Sequence, residues 1–367
     1  MKKVGKEVLF LAPCENNPRN GEGSFIRLNN GTIMYAYTKF RGDHWGDECT
    51  ADIVAVYSDD EGETWGNERI IVEHTDYSRN TMCPHLVRMK NGNIGMCYGR
   101  KYNETGFGLP HFMSSSDEGE SWCNDVICTD VTDQYYVMEN DHMIVLSDGR
   151  LLLPGNHHPF VTKADGTKTI SYHGKMLFFA SDDNGATWNR ISEEYDIPFP
   201  ETSATGLQET MVYERLDGSL RAFSRTDMFC QYESTSDDRG ATWTTPKPNR
   251  FFSSPDAPML MKRIMNGKAI AAIFNPIPKY NCRGTTVKKD GADENWGRTP
   301  FIMALSFDDG KTFTKKFFLE DDLSNGYCYP SIFDGGDYML VGYYLSNGTG
   351  IPLISNKMIK IMYSELD

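Results

Sequence analysis

Apolar runs of four to six residues alternate with sharp turn signals along the whole of this chain. FIRL and TIMYAY flank Asn30-Gly31, and MIVL and RLLLP flank Asp148-Gly149. The same kind of dipeptide recurs at Asn91-Gly92, Asp217-Gly218, Asn266-Gly267 and Asp334-Gly335. Asn and Gly tolerate the left-handed backbone of a two-residue turn, so each position predicts a β-hairpin. A second pattern, S-x-D-x-G-x-[TS]-[WF], begins at Ser58, Ser115, Ser181, Ser236 and Ser306, at intervals of 57, 66, 55 and 70 residues. Its Asp accepts backbone N–H bonds within a turn, its Gly supplies a backbone shape other residues resist, and its aromatic packs between adjacent sheets.

Together the two signals define a repeating unit: strand, Asn-Gly or Asp-Gly turn, strand, variable loop, strand, box, strand. Such a unit is one four-stranded propeller blade. Six hairpins predict a six-bladed all-β propeller with Asp-box hairpins, occupying residues 1–367 as one domain. The sixth unit has no box. Its sheet is expected to use MLVGYYL and IKIMYSEL and to be completed by VLFLA from the N-terminus, which removes the exposed edges.

Composition narrows the function. A net charge of −14 and a pI near 5.1 give no positive field to attract nucleic acid or an anionic membrane. Nine cysteines without a C-x-x-C pair read as free thiols rather than a disulfide framework. The apolar run Val8–Ala12 is too short for a signal-peptide core, which places the expected location in the cytoplasm. If the ligand is an anion, arginines have to be gathered locally against an acidic background.

The first strand of each blade lines the central channel. Here those strands carry polar residues, among them Arg19, His85, Asp141, His142, Glu209, Asp256 and Tyr329. Polar groups on inner strands are costly without a purpose, so their convergence signals a site. The box aspartates read as structural. His142, His157 and His158 have no ligand spacing, and neither a metal nor a cofactor is expected.

The boxes, the blade count and the order of polar residues resemble the sialidase (neuraminidase) superfamily along essentially the whole chain. That resemblance implies a clamp of three arginines on a sugar carboxylate, a Tyr nucleophile assisted by a Glu, and an Asp acid/base. Matched position by position, Arg19, Arg225 and Arg298 resemble the clamp, with Arg27 the rival of Arg19. Tyr329 resembles the nucleophile, with Tyr327 its rival two residues away on what should be the same strand face. Glu209 resembles the assisting carboxylate, and Asp47 in FRGDHWGDECTAD resembles the acid/base, with Asp43 its rival. Arg41 and His142 are further candidates for lining the pocket. Two features depart from the family. NPRNGEGS lacks its R-I-P signature, and the acidic residue that usually orients the first arginine is available only as Asp334 or Asp337, both at a turn.

The chemistry explains these residue types. Arginine forks match a carboxylate bidentately and stay charged. A tyrosine reaches the carbon beside that carboxylate neutral, and becomes nucleophilic by passing its proton to the Glu. The expected activity is a retaining exo-glycosidase acting on terminal sialic acid or a related acidic sugar, with a glycan as partner. A glycosidase of the same fold for another anionic sugar, and a non-catalytic glycan-binding propeller, are the alternatives.

Overall fold

The computed structural model describes residues 1–103, 106–129, 131–277, 297–346 and 353–367, together with the backbone of 288–289 and 292–293. Among them the chain is all-β apart from two short 3-10 turns, Pro200–Thr202 and Tyr363–Leu366. Successive strands pair antiparallel with their sequence neighbours. Gln208–Glu214, Leu220–Arg225, Cys230–Ser236 and Lys247–Ser253 form one sheet, and Leu260–Ile264, Ala269–Phe274, Phe301–Ser306 and Lys315–Glu320 form another. A five-stranded sheet centres on Leu151–His157, which pairs with both Tyr136–Val137 and Ile144–Val145 on one side and Lys175–Ser181 on the other. The strands from Asn20–Arg27 to Cys123–Ile127 form one eight-stranded sheet. Among the described residues, the strand pairing passes between its two halves only at the parallel pair Ala51↔Asn80.

The last sheet joins the two ends of the chain. Tyr327–Asp334, Tyr338–Leu345 and Ser355–Met362 are followed in space by N-terminal Lys6–Leu11, registered from Lys6↔Lys360 to Leu11↔Asn356. Hydrophobic clusters then link each group of strands to the next. Ile53 and Ala55 meet Leu86 and Met96, and Phe112 meets Leu153 and Phe179. Phe178 meets Val212, Phe223 meets Ile270, Met303 meets Val341, and Leu340 returns to Tyr35 and Val54. The arrangement is propeller-like, because these hydrophobic clusters pack each of the large sheets against its neighbours.

The turns follow their local chemistry. In the first box Ser58 Oγ donates to Asp60 at 2.8 Å, and Thr64 donates to the same carboxylate from its N–H at 2.9 Å and its Oγ1 at 2.6 Å. The same bonds recur at Asp117, Asp183, Asp238 and Asp308. These carboxylates are fully engaged in the turn, and the box aromatics cap the cores between sheets: Trp243 stacks on Phe178 at 4.1 Å and Trp188 lies 5.3 Å from Phe112. Five of the tight-turn dipeptides have their Gly at φ between 82° and 98°; in the sixth it is Gly336, not Gly335, that takes the left-handed position, at 93°.

Candidate active site

Four strands that open a group of strands carry the same irregularity. The register slips between Gly21 and Gly23, between Met82 and His85, between Gln208 and Met211, and between Cys328 and Ser331. The residue at each slip stands in the left-handed region: Glu22 at φ 43°, Cys83 at 57°, Glu209 at 44° and Tyr329 at 56°. A bulge releases its extra residue from the pleat and re-aims the side chain. All four side chains line one cavity of about 370 Å³, a volume in the range of small-molecule sites.

Tyr329 and Glu209 meet there. The phenol donates to Glu209 Oε1 at 3.1 Å, and Arg225 Nη1 donates to both Glu209 oxygens at 2.7 Å and to the phenol oxygen at 3.3 Å. Arg225 Nε donates to Asp256 at 2.6 Å, so its guanidinium is fixed from two sides. Arg298, only 2% exposed, donates twice to the Asp256 carbonyl, at 3.2 and 3.0 Å, and lies 5.4 Å over the Tyr329 ring. Burial, reinforced by the Glu209 charge, pushes the Tyr329 phenol well up despite Arg298 and Arg225, so it rests as the neutral acid.

Arg19 stands on the same cavity between Phe40 and Tyr344. It donates to the Tyr344 hydroxyl at 2.7 Å, to Glu22 at 2.9 Å and to Asp47 at 2.5 Å. The Asp47 backbone carbonyl is held by Asn80 at 2.6 Å and by Lys101 at 3.2 Å, which fixes the loop over the cavity. Local desolvation opposes ionisation of Asp47, although much of its side chain is exposed, and Arg19, Lys101 and Arg298 outweigh it and hold its carboxyl down to about 2. Glu139 lines the cavity as well. Burial, then the charges of Glu209 and Glu22, push its carboxyl well above the usual range.

Six residues expected from the sequence therefore line one cavity: Arg19, Asp47, Glu209, Arg225, Arg298 and Tyr329. Three do not. Tyr327 was expected to share a face with Tyr329, but the bulge after Cys328 breaks the alternation. Tyr327 is 1% exposed, packed on Phe301, with its hydroxyl on the Asp322 carbonyl. His142 is sealed in the interior, its backbone N–H on His85 and its ring on the Thr210 carbonyl. Arg41 turns to Asp52 at 2.7 Å and lines a separate groove together with Asp43. Arg27 pairs with Glu61 away from the cavity. Asp334 binds Asn266 and Tyr363 at its turn, and Arg19 is oriented by Glu22, Asp47 and Tyr344 instead. Glu22, Cys83, Lys101 and Glu139 are among the lining residues that sequence reasoning missed. The one available signal was Glu22 between two glycines, immediately after Arg19 and Asn20 on an inner strand.

Comparison with known proteins agrees with this architecture. A family model described as a BNR repeat-like domain matches residues 31–343. A sialidase of Clostridium perfringens is 25% identical over 395 residues, covering 96% of this chain and 92% of that protein. A crystal structure of the NanB sialidase of Streptococcus pneumoniae superposes with a TM-score of 0.72 at 14% identity, over 100% of this chain and 71% of that one. A protein of unknown function from Dyadobacter fermentans superposes with a TM-score of 0.69 at 19% identity, over 97% of this chain and 99% of that one. The chain belongs to the BNR repeat-like family, within the superfamily of sialidase-type propellers.

Proposed function

We propose that this protein is a retaining exo-glycosidase that removes a terminal sialic acid, or a related acidic sugar, from a glycan. The observation that carries the reading is the Tyr329–Glu209–Arg225 contact on a cavity that Arg19 and Arg298 also line. We also read the eight-stranded sheet as two blades joined at Ala51↔Asn80, giving six blades built as one unit over residues 1–367.

In this reading the sugar carboxylate lies among Arg19, Arg225 and Arg298. The Tyr329 oxygen attacks the anomeric carbon while its proton passes to Glu209, whose Oε1 it already meets at 3.1 Å. The glycosidic bond breaks as Asp47 gives its proton to the leaving oxygen. Asp47 then takes a proton from water, whose oxygen displaces the tyrosine, and Glu209 returns the proton to the phenolate. Two inversions leave the anomeric configuration unchanged. Asp47 is an anion tied to Arg19. A substrate carboxylate competes for Arg19 and leaves Asp47 beside a negative charge, which raises its affinity for the proton it must donate.

The test is cleavage of a panel of fluorogenic acidic glycosides, with proton NMR following the first-formed anomer. Release of the sugar with its configuration retained is expected. No cleavage of any acidic glycoside, or a first product of inverted configuration, overturns the proposal.

A further inference from the structure

Three cavity-lining side chains take no part in the bond-making and bond-breaking steps proposed above, although one of them, Glu22, also orients Arg19. Glu22, Cys83 and Glu139 are 3%, 6% and 5% exposed, and one donor atom from each lies within 4.8 Å of the others. They come from three separate stretches of chain, and two of them are the left-handed residues of bulges. Glu22 spends one oxygen on Arg19, at 2.9 Å, while its other oxygen, Oε2, is buried without a hydrogen-bond partner. Glu139 accepts the backbone N–H of its neighbour Asn140 at 2.9 Å. A buried carboxylate oxygen with nothing to bind is costly, and native folds rarely keep one without a ligand or an ion in view.

We infer that Glu22, Cys83 and Glu139 bind a single divalent metal ion of the zinc type on the cavity wall. Two carboxylates and a thiolate form a mixed hard and soft donor set. Calcium and magnesium favour all-oxygen shells with more ligands, whereas zinc takes S and O together in a tetrahedron. Zinc bonds of about 2.0–2.3 Å put tetrahedral donors about 3.5 Å apart, so the trio closes on an ion by side-chain rotation. The ion takes the orphaned Glu22 oxygen, and Arg19 on the other oxygen orients that ligand from outside. The fourth position faces the cavity and accepts water or a ligand oxygen. On binding, the Cys83 thiol proton and the proton that burial keeps on Glu139 both leave to solvent, giving the thiolate and the carboxylate, so affinity rises with pH.

A second trio, His44, Glu48 and Cys49, also has donor atoms within 4.8 Å of one another, but it is confined to one open loop. His44 Nδ1 there already meets the Cys49 sulfur at 3.1 Å and the Gly46 N–H at 3.2 Å. The buried trio is preferred because it carries the unsatisfied oxygen.

The experiment titrates the chelator-treated full chain with Co²⁺, reading the thiolate-to-cobalt absorption band, and then competes with Zn²⁺. One equivalent of Co²⁺ with that band, displaced by Zn²⁺, is expected. Cys83→Ser removes the band; Glu22→Gln and Glu139→Gln each weaken binding by about 10- to 100-fold while the melting curve still reports a folded protein. Cys49→Ser leaves the band unchanged. Absence of stoichiometric binding, a band that survives Cys83→Ser, or one that disappears with Cys49→Ser overturns the inference. The outcome is independent of the glycosidase assay, since metal binding and sugar release are read separately.

Discussion

At the scale of single residues the cavity is a balance of charges that hold one another in place. Arg225 lies between Glu209 and Asp256, and Arg19 between Glu22 and Asp47. Tyr329→Phe removes the attacking oxygen and keeps the ring on Tyr344, so kcat is expected to fall by about three orders of magnitude or more with the melting temperature unchanged. Glu209→Gln is expected to give a comparable loss. A variant retaining full turnover would show that the proton takes another path. Arg19→Lys keeps a charge but loses the planar fork, and KM for an acidic glycoside is expected to rise by about 10- to 100-fold, measurable by initial rates. That these residues gather on one cavity was legible for the groups named by their order along the chain. Legibility failed where one backbone irregularity decided the outcome: Tyr327 and Tyr329 are two apart on a strand, and only the slip between Cys328 and Ser331 separates them. Glu139 and Lys101 were invisible because nothing local marks a side chain whose meaning comes from neighbours distant in sequence.

At the scale of the element, turns were legible and bulges were not. A box turn writes its hydrogen bonds into five closely spaced positions, so Ser58, Asp60, Gly62, Thr64 and Trp65 announce it without tertiary help. Those bonds also hold the Asp60, Asp117 and Asp308 carboxyls at about 2, with Thr64, Ser121 and Thr312 as the largest causes. A carboxyl lower in the folded than in the unfolded chain stabilises above the unfolded value, and that contribution disappears as pH drops through the folded one. The melting temperature is therefore expected to decline between about pH 4 and pH 2, where ordinary and turn-bound carboxyls titrate. Asp60→Asn is expected to lower the melting temperature at pH 7 by a few degrees and to flatten that decline. A variant whose melting temperature follows the parent at every pH would show that the turn bonds contribute nothing.

At the scale of the whole molecule, closure depends on two connections that join remote parts of the chain. Lys6–Leu11 covers the outer edge of Ser355–Met362, an edge otherwise open to pairing with another chain. Removal of residues 1–12 is expected to lower the melting temperature and to produce soluble aggregates by size-exclusion chromatography. The second connection is interior. Asp141 accepts Lys262 at 2.9 Å, Ser24 at 2.8 Å and the Ile332 N–H at 3.0 Å, tying three inner strands to one carboxylate. Asp141→Ala is expected to cost about 2–3 kcal/mol in urea unfolding, through lost hydrogen bonds to a buried charge. The sequence singled out Asp141 as an inner-strand polar residue, but its task is to hold the centre together.

The four slipped residues have a consequence for how such a protein can change over time. A side chain on an extra residue lies outside the pairing ladder, so exchanging it moves neither the register nor the alternation that fills the cores between sheets. Glu22, Cys83, Glu209 and Tyr329 thus behave as exchangeable fittings on a fixed frame. A lineage could retune what the cavity accepts by altering these sockets, without having to rediscover how to fold.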